Sequence, residues 1–596
     1  MYSTARTTTS PQLILHHRTL LFSVSTLQSA ESSVTTFARH FRPKLIHRGS
    51  APRRSYSRLY IYLVTLQTSR PGRNTRHNIM GSPTCVLARS LTGCTAARPK
   101  TSLNIIRHVS AGVRFHEAES QGYRHKQMPL LAKDPRQTVV ILGSGWAGYN
   151  LFRHLDPQYY RCIVVSPRSY FVFTPLLAST AVGTLETRVV IESVRDKGLG
   201  WRKLSDVLDD MLKQKDIAMK RKSIKDNESS LPTVELVEAI ATDINMKDKI
   251  VTVSPRIPDV DANETFDIKY DKLAIAVGCY SQTFNIKGVK EYAFFLKDVV
   301  DARRIRKRIL ERFEAANLFL MSQERKRELL HFCIVGGGPT GVEFAAELHD
   351  LINDDMQHYY PNLMPYVQIT IFDVAKSILG TFDRSLSEYA EQHFRRHNIE
   401  IRTGVRVQEV TGHSLRIKNE NSEDETVNYG LLVWSTGLAP NPFVAGCDVV
   451  VKDKRNNIVT DNYLNVYAKH TNSDAVLNKD VFALGDCAQI EHGYLPATAQ
   501  VASQKAKYLS KELNREAKSE GDVKYNPFVF NNRGVMAYIG GWRAIVQGNG
   551  GEVKGRTAWL LWRGAYFSMS VSIKNKILIP IYWFTNWLFG RDISRF

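Results

Sequence analysis

Two glycine-rich turns, each between a predicted strand and a predicted helix, constrain the fold of this chain more than any other feature. The first, GSGWAG at 143–148, follows the apolar run TVVIL and leads into AGYNLFRHL. The second, GGGPTG at 336–341, follows HFCIV and leads into TGVEFAAELHDLI. Glycines in such a turn permit the tight bend, a close approach of the backbone to a pyrophosphate, and tight packing of helix on strand. The positive end of each helix then faces the phosphates. The pattern predicts two dinucleotide-binding units.

The two units differ in the residue that ends their second strand. In the second unit this residue is Asp373, after VQITIF. A carboxylate there accepts hydrogen bonds from a ribose 2′-OH and repels a 2′-phosphate, which favours NADH over NADPH. Capping of a following helix is the alternative role for Asp373. In the first unit the corresponding residue is Ser166. We expect one unit to hold a flavin permanently and the other to admit a nicotinamide, because hydride can then pass between two cofactors.

The order of the elements predicts that one unit is inserted into the other. After the second unit and the strand YGLLVWSTG, the chain returns through KDVFALGD and a helix over 497–515. The fold class is therefore α/β, with two nested Rossmann-like dinucleotide-binding domains, a charged surface excursion at 200–232 and a C-terminal membrane-association segment. The expected domains are a targeting leader (1–130), the FAD domain in two parts (135–328 and 446–520), the NADH domain (329–445), and a C-terminal membrane and quinone-side domain (521–596).

The basic charge is concentrated in the leader. Residues 1–115 hold seventeen Lys and Arg and one acid, Glu31, a net of 17 − 1 = +16 out of +22 for the chain. A leader rich in Arg and Ser and poor in acids is typical of a mitochondrial transit peptide, and a disordered basic tail is the alternative. Met80 opens a second such segment, so we expect residues 1–79 to be an overextended start. Since little excess charge remains on the folded part, no nucleic-acid partner is expected.

The cysteine pattern argues against a metal site and against electron transfer through a cysteine pair. All seven are scattered, with no CxxC pair and no metal-ligand spacing. An odd number at irregular intervals argues against a disulfide framework and fits a reducing compartment. We therefore expect no metal site and no electron relay through a cysteine pair beside the flavin.

Several longer motifs resemble one family. They are VVILGSGWAGYN, VVSPRSYFVFTPLLASTAVGTLE, CIVGGGPTGVEFAAEL, VWSTGLAPNP, FALGDCA, LPATAQVASQ and PIYWFTNWLFGRDISRF. Together they resemble the type II (alternative, rotenone-insensitive) NADH:ubiquinone oxidoreductases of fungal mitochondria, over residues 137–596 apart from 200–232. The resemblance implies FAD as resident cofactor, NADH as hydride donor and ubiquinone as acceptor.

The resemblance also implies which residues bind the two cofactors. Asp486 would bond the ribityl chain of FAD, and residues 174–176 would line the flavin ring. The FAD set is Gly143, Ser144, Gly145, Trp146, Ala147, Gly148, Ser166, Pro167, Arg168, Thr174, Pro175, Leu176, Gly278, Gly485 and Asp486. The NADH set is Gly336, Gly337, Gly338, Pro339, Thr340, Gly341, Glu343, Asp373, Thr436 and Gly437.

Four residues are implied to act on the substrates. Glu343 matches an acid beside the nicotinamide, although an acid near a helix start is also favoured by the helix dipole. Gln500 and Gln504, four apart on a predicted helix, match the AQxxxQ element of the quinone pocket and can face one cavity. Tyr538 matches an aromatic that stacks on the quinone ring. Ser503 stands where many fungal relatives have His, which puts a proton-relay role for that position in doubt.

The C-terminal segment independently suggests contact with a membrane. Residues 554–596 hold seven Lys and Arg against one acid, and 582–589 contain five aromatic residues. TAWLLWRGAYFSM places Trp559, Trp562, Tyr566 and Met569 on one helical face. The run ILIPIYWFTNWLF is too short to span a bilayer, so we expect it to lie in the interface against anionic lipid. A core helix or a homodimer contact is the alternative.

We therefore predict a peripheral enzyme of the mitochondrial inner membrane that oxidises NADH, reduces ubiquinone and pumps no protons. The matrix face is favoured because nothing between 100 and 137 is apolar enough for an anchor. Other reductases of the same architecture are the alternatives. The absence of a cysteine pair disfavours a sulfide:quinone reductase, and the C-terminal segment disfavours a ferredoxin reductase. The small charge of the folded part disfavours an apoptosis-inducing-factor-like protein.

Overall fold

The computed structural model describes residues 126–128, 134–195, 234–469, 475–519, 523–548 and 550–595. All of them belong to one compact unit, 116–596. Nearly all of the basic leader, and the excursion at 200–232, lie outside the described residues, so both predictions stay as they were.

The described strands and helices are numbered in chain order. The strands are β1 (Lys126–Gln127), β2 (Gln137–Leu142), β3 (Tyr160–Ser166), β4 (Tyr170–Val172), β5 (Ile191–Ser193), β6 (Val234–Asn245), β7 (Ile250–Pro255), β8 (Phe266–Lys269), β9 (Lys272–Ile275), β10 (Cys279–Ser281), β11 (Phe294–Phe295), β12 (His331–Val335), β13 (Gln368–Phe372), β14 (Ile399–Arg402), β15 (Arg406–Val410), β16 (Ser414–Lys418), β17 (Asp424–Asn428), β18 (Leu431–Trp434), β19 (Leu438–Pro440), β20 (Ile458–Thr460), β21 (Asn465–Lys469), β22 (Ala475–Ala483), β23 (Ala488–Ile490), β24 (Val535–Gly540), β25 (Arg543–Gly548) and β26 (Gly551–Gly555). The α-helices are α1 (Trp146–His154), α2 (Leu177–Ala181), α3 (Val289–Tyr292), α4 (Val299–Asn317), α5 (Gln323–Leu329), α6 (Pro339–Leu351), α7 (Gln357–Tyr359), α8 (Arg384–Arg396), α9 (Pro442–Gly446), α10 (Ala499–Lys518), α11 (Arg556–Met569) and α12 (Ile573–Phe589).

The largest sheet contains the first glycine turn. Its eleven strands run in the order β1-β8-β7-β6-β3-β2-β9-β22-β21-β20-β23. The strands β6, β3, β2, β9 and β22 are parallel at its centre. Parallel strands are covered on both faces, so their sequences are continuous apolar runs. The VVIL segment of β2 is such a run, and all four of its residues are buried. The first turn therefore lies at the carboxyl edge of a buried sheet.

The second glycine turn belongs to a separate five-stranded sheet. Its order is β11-β18-β12-β13-β14, and every neighbouring pair is parallel. A three-stranded antiparallel sheet, β15-β16-β17, connects β14 to β18 in the chain. This module lies between β9 and β22, which pair with each other in the first sheet. The predicted nesting of two Rossmann-like units is confirmed.

The C-terminal module consists of the antiparallel sheet β24-β25-β26 followed by α11 and α12. The helical face predicted from TAWLLWRGAYFSM is mostly a packing face, because Trp562 and Tyr566 are buried and Trp559 is half-buried, whereas Met569 is exposed. The alternative of a core helix is thus correct for the face of α11 that carries Trp562 and Tyr566. The Arg563 guanidinium lies 4.3 Å from the ring centres of both Trp559 and Trp583, a cation–π contact that ties α11 to α12.

The outward sides of α11 and α12, together with Met569 at the end of the predicted face, carry large apolar side chains that nothing in the described residues covers. Trp587 is 64% exposed and Phe589 78%. Among the helices that the structure describes, none is both long and apolar enough to cross a membrane. The exposed set is Leu560, Leu561, Phe567, Met569, Ile577, Ile581, Phe584, Trp587, Leu588 and Phe589.

Candidate active site

The first glycine turn is shaped to leave its middle open. Gly143 has φ +109°, and Gly148 approaches it so closely that a Cβ there would lie 2.0 Å from the Gly143 carbonyl oxygen. A Cβ on Gly145 would meet nothing within 4 Å. The α1 helix begins after Gly145 with no side-chain cap and no acid in its first turn. Uncapped backbone N–H groups above an open space are what an anionic pyrophosphate binds.

Side chains from three other predicted segments close around this turn. The Trp146 indole donates to Thr174 Oγ1 at 2.9 Å, and the Ser144 and Ser166 hydroxyls are 2.8 Å apart. A Cβ on Gly485 would lie 3.1 Å from the Ala147 side chain, which places the late motif against the first turn. The thiol of Cys279, the residue after Gly278, lies 3.3 Å from Asp486 Oδ2. The structure thus assembles the predicted FAD set from distant parts of the chain.

Two of the predicted FAD residues have surroundings that the sequence did not indicate. Leu176 is fully buried in the core, so its side chain supports the site from beneath and does not line it. Arg168 forms an ion pair with Asp298, which caps α4 and also accepts from the Tyr170 hydroxyl at 3.0 Å. The Arg168 guanidinium at this site is therefore already paired with an acid.

The second glycine turn repeats the geometry of the first. Gly336 has φ +116°, a Cβ on Gly341 would lie 2.0 Å from the Gly336 carbonyl oxygen, and Gly338 faces open space. Asp373 closes this turn from the side: its carboxylate accepts from Gly337 N at 2.5 Å and from Ala375 N at 2.7 Å. The capping alternative is wrong, because the next helix begins only at Arg384.

A cavity of about 280 Å³ opens beside the second turn. Asp373 and Thr436 lie at its polar side, as the sequence predicted, and Gly437 directly follows Thr436 with φ +74°. Sequence reasoning missed Phe284, which lies in a loop, and Arg406, which lies in a strand without a motif. The remaining lining residues are Phe284, Ile286, Val335, Gly336, Phe372, Val374, Val405, Arg406, Val407 and Trp434.

Glu343 points away from the second turn and into the C-terminal module. One carboxylate oxygen accepts from Tyr538 N at 3.2 Å and from Trp562 Nε1 at 3.3 Å. Burial raises the pKa of Glu343 to about 8. Glu343 lies in the second turn of α6, with no acid in the first turn, so the helix-dipole explanation does not apply.

Two more acids follow Glu343 on the same buried side of α6. Glu347 accepts from the hydroxyls of Ser179 and Thr184 at 2.6 and 2.8 Å, and burial raises its pKa. Asp350 accepts from the Tyr538 hydroxyl at 2.5 Å. Sequence reasoning missed both residues, although acids at i, i+4 and i+7 in an apolar helix are a visible signal, since buried carboxyls need specific partners.

The two predicted quinone-side glutamines hold a backbone segment. Gln500 accepts from Arg533 N at 2.6 Å and donates to Gly534 O at 3.2 Å. Gln504 donates to Asn531 O at 2.8 Å and accepts from Asn531 N at 3.0 Å. The two side chains do face the same way, as their spacing predicted. They fix the segment that leads directly into β24 and Tyr538.

Tyr538 is buried between the modules. Its ring lies 5.3 Å from that of Trp562, and its hydroxyl is bound by Asp350 from α6. Burial and the neighbouring Asp350 raise the pKa of Tyr538 well above its usual value. The structure therefore brings Tyr538 and Glu343 together, with the glutamines on the approach to Tyr538.

Comparison with known proteins identifies the family of the chain. The family model described as pyridine nucleotide-disulphide oxidoreductase matches residues 137–506, and the NDH2 C-terminal domain matches 532–592. A "Probable NADH dehydrogenase" of Dictyostelium discoideum is 37% identical, over 77% of this chain and 91% of that protein. A "Probable NADH-ubiquinone oxidoreductase, mitochondrial" of Schizosaccharomyces pombe is 32% identical, over 84% and 92%.

A solved structure is similar over the same region. NDH2 from Plasmodium falciparum, in complex with NADH, has a TM-score of 0.67 and 27% identity, over 77% of this chain and all of that one. The chain belongs to the pyridine nucleotide-disulphide oxidoreductases and, within them, to the type II NADH dehydrogenases.

Proposed function

We propose that the protein is a non-proton-pumping NADH:ubiquinone oxidoreductase with FAD as its resident cofactor. The observation that carries the proposal is the pair of matched glycine turns, one closed by distant parts of the chain and one open to a cavity. The names of the relatives support NADH as donor and ubiquinone as acceptor. A cysteine-based reductase is disfavoured because the seven cysteines are scattered and form no CxxC pair.

The residues around the first turn fit FAD. A Cβ on Gly145 would point into open space, where the backbone can approach a ligand. The uncapped start of α1 offers backbone N–H groups to the pyrophosphate. Asp486 is placed to accept from the ribityl hydroxyls, and Trp146 fixes Thr174 at the ring. When bound, the flavin supplies hydride and electron transfer. The protein orients it and excludes water through the buried wall beneath, including Leu176.

The second turn is proposed to bind NADH. Gly338 and the start of α6 face the pyrophosphate, and Asp373 presents a carboxylate to the adenosine ribose. Because Asp373 is held by two backbone N–H groups, its oxygens keep a fixed direction that a 2′-phosphate would meet with repulsion. The apolar wall around Trp434 suits the adenine ring.

The quinone is proposed to bind where α6 meets the C-terminal module. Tyr538 stacks on the ring, while Gln500 and Gln504 hold the segment that places Tyr538. The exposed apolar faces of α11 and α12 sit in one leaflet, where they lead a lipid-soluble substrate to this site. The mitochondrial inner membrane, its matrix face, the cleavable leader and a homodimer through the C-terminal segment remain parts of this proposal.

Steady-state assays test the proposed reaction. The purified protein with FAD is given NADH and a short-chain ubiquinone, with rotenone present. We expect NADH oxidation coupled one-to-one to quinol formation, with NADPH used far less well. Absence of quinone-dependent NADH oxidation would disprove the proposal.

Membrane contact has its own test. The double variant Trp587→Ser, Phe589→Ser should bind vesicles with anionic lipid at least about tenfold more weakly, since each large side chain loses about 1.5–3 kcal/mol of burial. Phe319→Ser is the matched control, because Phe319 is 99% exposed in another part of the molecule. Equal losses in both variants would contradict a specific docking face.

A further inference from the structure

Three histidines gather beside the Tyr538–Asp350 pair, and none of the roles assigned above uses them. His349 follows Glu347 on α6, His393 lies in α8, and His397 directly follows α8. The ring centres of His349 and His397 are 5.0 Å apart, and those of His393 and His397 are 4.4 Å apart. His349 Nδ1 lies 3.7 Å from Asp350 Oδ1. The groups form a continuous series that ends at the Tyr538 hydroxyl.

The series runs from solvent to the interior. His397 is exposed, the His349 side chain is 15% exposed, and Asp350 and Tyr538 are buried. The Asn353 amide nitrogen lies 2.6 Å from His349 Nε2 and 3.2 Å from Nδ1, so this side chain holds the imidazole ring beside Asp350. A 2.5 Å hydrogen bond joins Asp350 to Tyr538, whereas transfer from ring to ring and from His349 to Asp350 requires a small side-chain rotation or a bridging water.

Other charged groups face this series from each packed element. Arg543 from β25 and the other histidines disfavour the charged forms of His393 and His397, and burial lowers their pKa further, to about 4 for His393. Asp350 favours those charged forms. Glu347 faces Tyr538 on the same side of α6.

We propose that His397, His349 and Asp350 form a proton relay that delivers the solvent proton used in quinone reduction to Tyr538. This rests on the proposed function, because it assigns a route for a proton that the reaction must consume. His393 is the buried neighbour that packs against the His397 ring. The route starts at the aqueous surface and enters between α6 and β24.

The balance of the reaction requires such a route. NADH, one proton and the quinone give NAD⁺ and the quinol, so two electrons and one proton come from NADH and one proton comes from water. Protonation of Asp350 reverses its bond with Tyr538: the carboxyl donates to the phenol oxygen, and the phenol proton passes to the quinone oxygen. One quinol O–H bond forms as the tyrosine O–H bond breaks, and the tyrosine O–H bond re-forms with the Asp350 proton. Asp350 then takes its next proton from His349.

Three variants interrupt the relay without removing the quinone contact. Asp350→Asn still accepts from the Tyr538 hydroxyl but cannot carry a proton, and His349→Gln and His397→Gln remove the groups before it. Because positioned proton transfer contributes about 10²–10⁴-fold, we expect quinone turnover to fall by at least about tenfold in Asp350→Asn and His349→Gln, and less in His397→Gln. The loss should grow as pH rises, and KM for the quinone should stay within about twofold.

Ferricyanide separates proton delivery from everything else, because it takes electrons without protons. NADH:ferricyanide turnover should be unchanged in all three variants, and imidazole should restore quinone turnover in His349→Ala. His413→Gln, an exposed histidine in the bend between β15 and β16, is the matched control. Unchanged quinone turnover, or a parallel loss with ferricyanide, would overturn the relay. A wild-type protein that reduces ferricyanide but not quinone would instead overturn the proposed function.

Discussion

The two glycine turns have the same backbone geometry and opposite surroundings. In each, the last glycine would carry a Cβ 2.0 Å from the carbonyl oxygen of the first, and the glycine two residues after the first faces open space. The first turn is enclosed by Thr174, which its own Trp146 binds, and by Gly485, which comes from a distant part of the chain. The second has one acid beside it and a cavity of about 280 Å³. The motif therefore specifies a phosphate cradle, while its enclosure decides whether the ligand stays or exchanges.

The helices that leave the two turns also differ at one matched position. Asn150 lies two residues after the last glycine of the first turn, and Glu343 lies two residues after the last glycine of the second. Asn150 donates within its own helix, to Trp146 O at 2.7 Å, and lies 3.4 Å from the Ser503 hydroxyl of α10. Glu343 instead accepts from Tyr538 and Trp562 of the C-terminal module. The first unit thus contacts the helix of the two glutamines, and the second contacts Tyr538 itself.

Substitutions that close either glycine turn should give the largest effects on activity. The first turn should affect flavin binding, and the second should affect NADH binding. In Gly148→Ala and Gly341→Ala the added methyl group collides with backbone, which costs about 1–3 kcal/mol or more and displaces the helix start. We expect Gly148→Ala to be purified without flavin and to be inactive. Gly341→Ala should keep its flavin, while its KM for NADH rises about tenfold or more. Flavin absorbance and NADH titration distinguish the two, and loss of flavin from both variants would remove the distinction.

Removal of the Arg591 side chain should give the next largest effect. It should destabilise the end of α6, the helix that follows the second turn, and not α1. Arg591 pairs with Asp355 at 2.6 Å just beyond α6 and donates to Thr184 at 3.0 Å. Arg591→Ala leaves a buried acid unpaired, so we expect a loss of about 3–5 kcal/mol of unfolding free energy. Flavin content should be retained. Denaturant titration measures the loss, with Arg384→Ala, an exposed pair, as the control expected to change less than about 1 kcal/mol.

Exchanging the residues at the strand ends tests the difference in nucleotide choice. Asp373→Ser gives the second unit the residue that the first has at Ser166. We expect KM for NADH to rise about tenfold, near 1.4 kcal/mol, while KM for NADPH falls because the repulsion of the 2′-phosphate is gone. Ser166→Ala should leave both values unchanged. An unaltered ratio of NADH to NADPH use would show that Asp373 only fixes the loop.

The smallest predicted effect concerns pH. The folded-state pKa of Glu343, about 8, lies above its usual value, so its contribution to stability is complete below about pH 4.5 and is lost as pH rises through 8. The Tm of the wild type should therefore fall more steeply between pH 5 and 8.5 than that of Glu343→Gln, by about 3 °C or more. Asn150→Asp should introduce a similar pH dependence into the first unit. Parallel Tm curves for wild type and Glu343→Gln would contradict this.

Local patterns were enough to predict the nested fold and both turns. Strand period, glycine spacing and Asp373 all act within a few residues, so the chain displays them directly. Contacts made by the tertiary fold were not visible in the same way. The Gln500 and Gln504 pair was predicted to face a cavity, but it binds the backbone of 531–534. The face of Trp562 and Tyr566 reads as amphipathic in isolation, and only the position of β24 shows that it is buried.

The return of β22 to the first sheet has a consequence for how the protein reaches its native state. β22 pairs with β9 across roughly two hundred intervening residues, whereas β12, β13, β14 and β18 form a sheet from one continuous stretch. Contacts that are near in sequence form faster than contacts across long loops. We therefore expect the inner, nicotinamide-binding module to fold early during synthesis. The outer module would capture its flavin only after the inner one is in place, so cofactor insertion should be a late step in biogenesis.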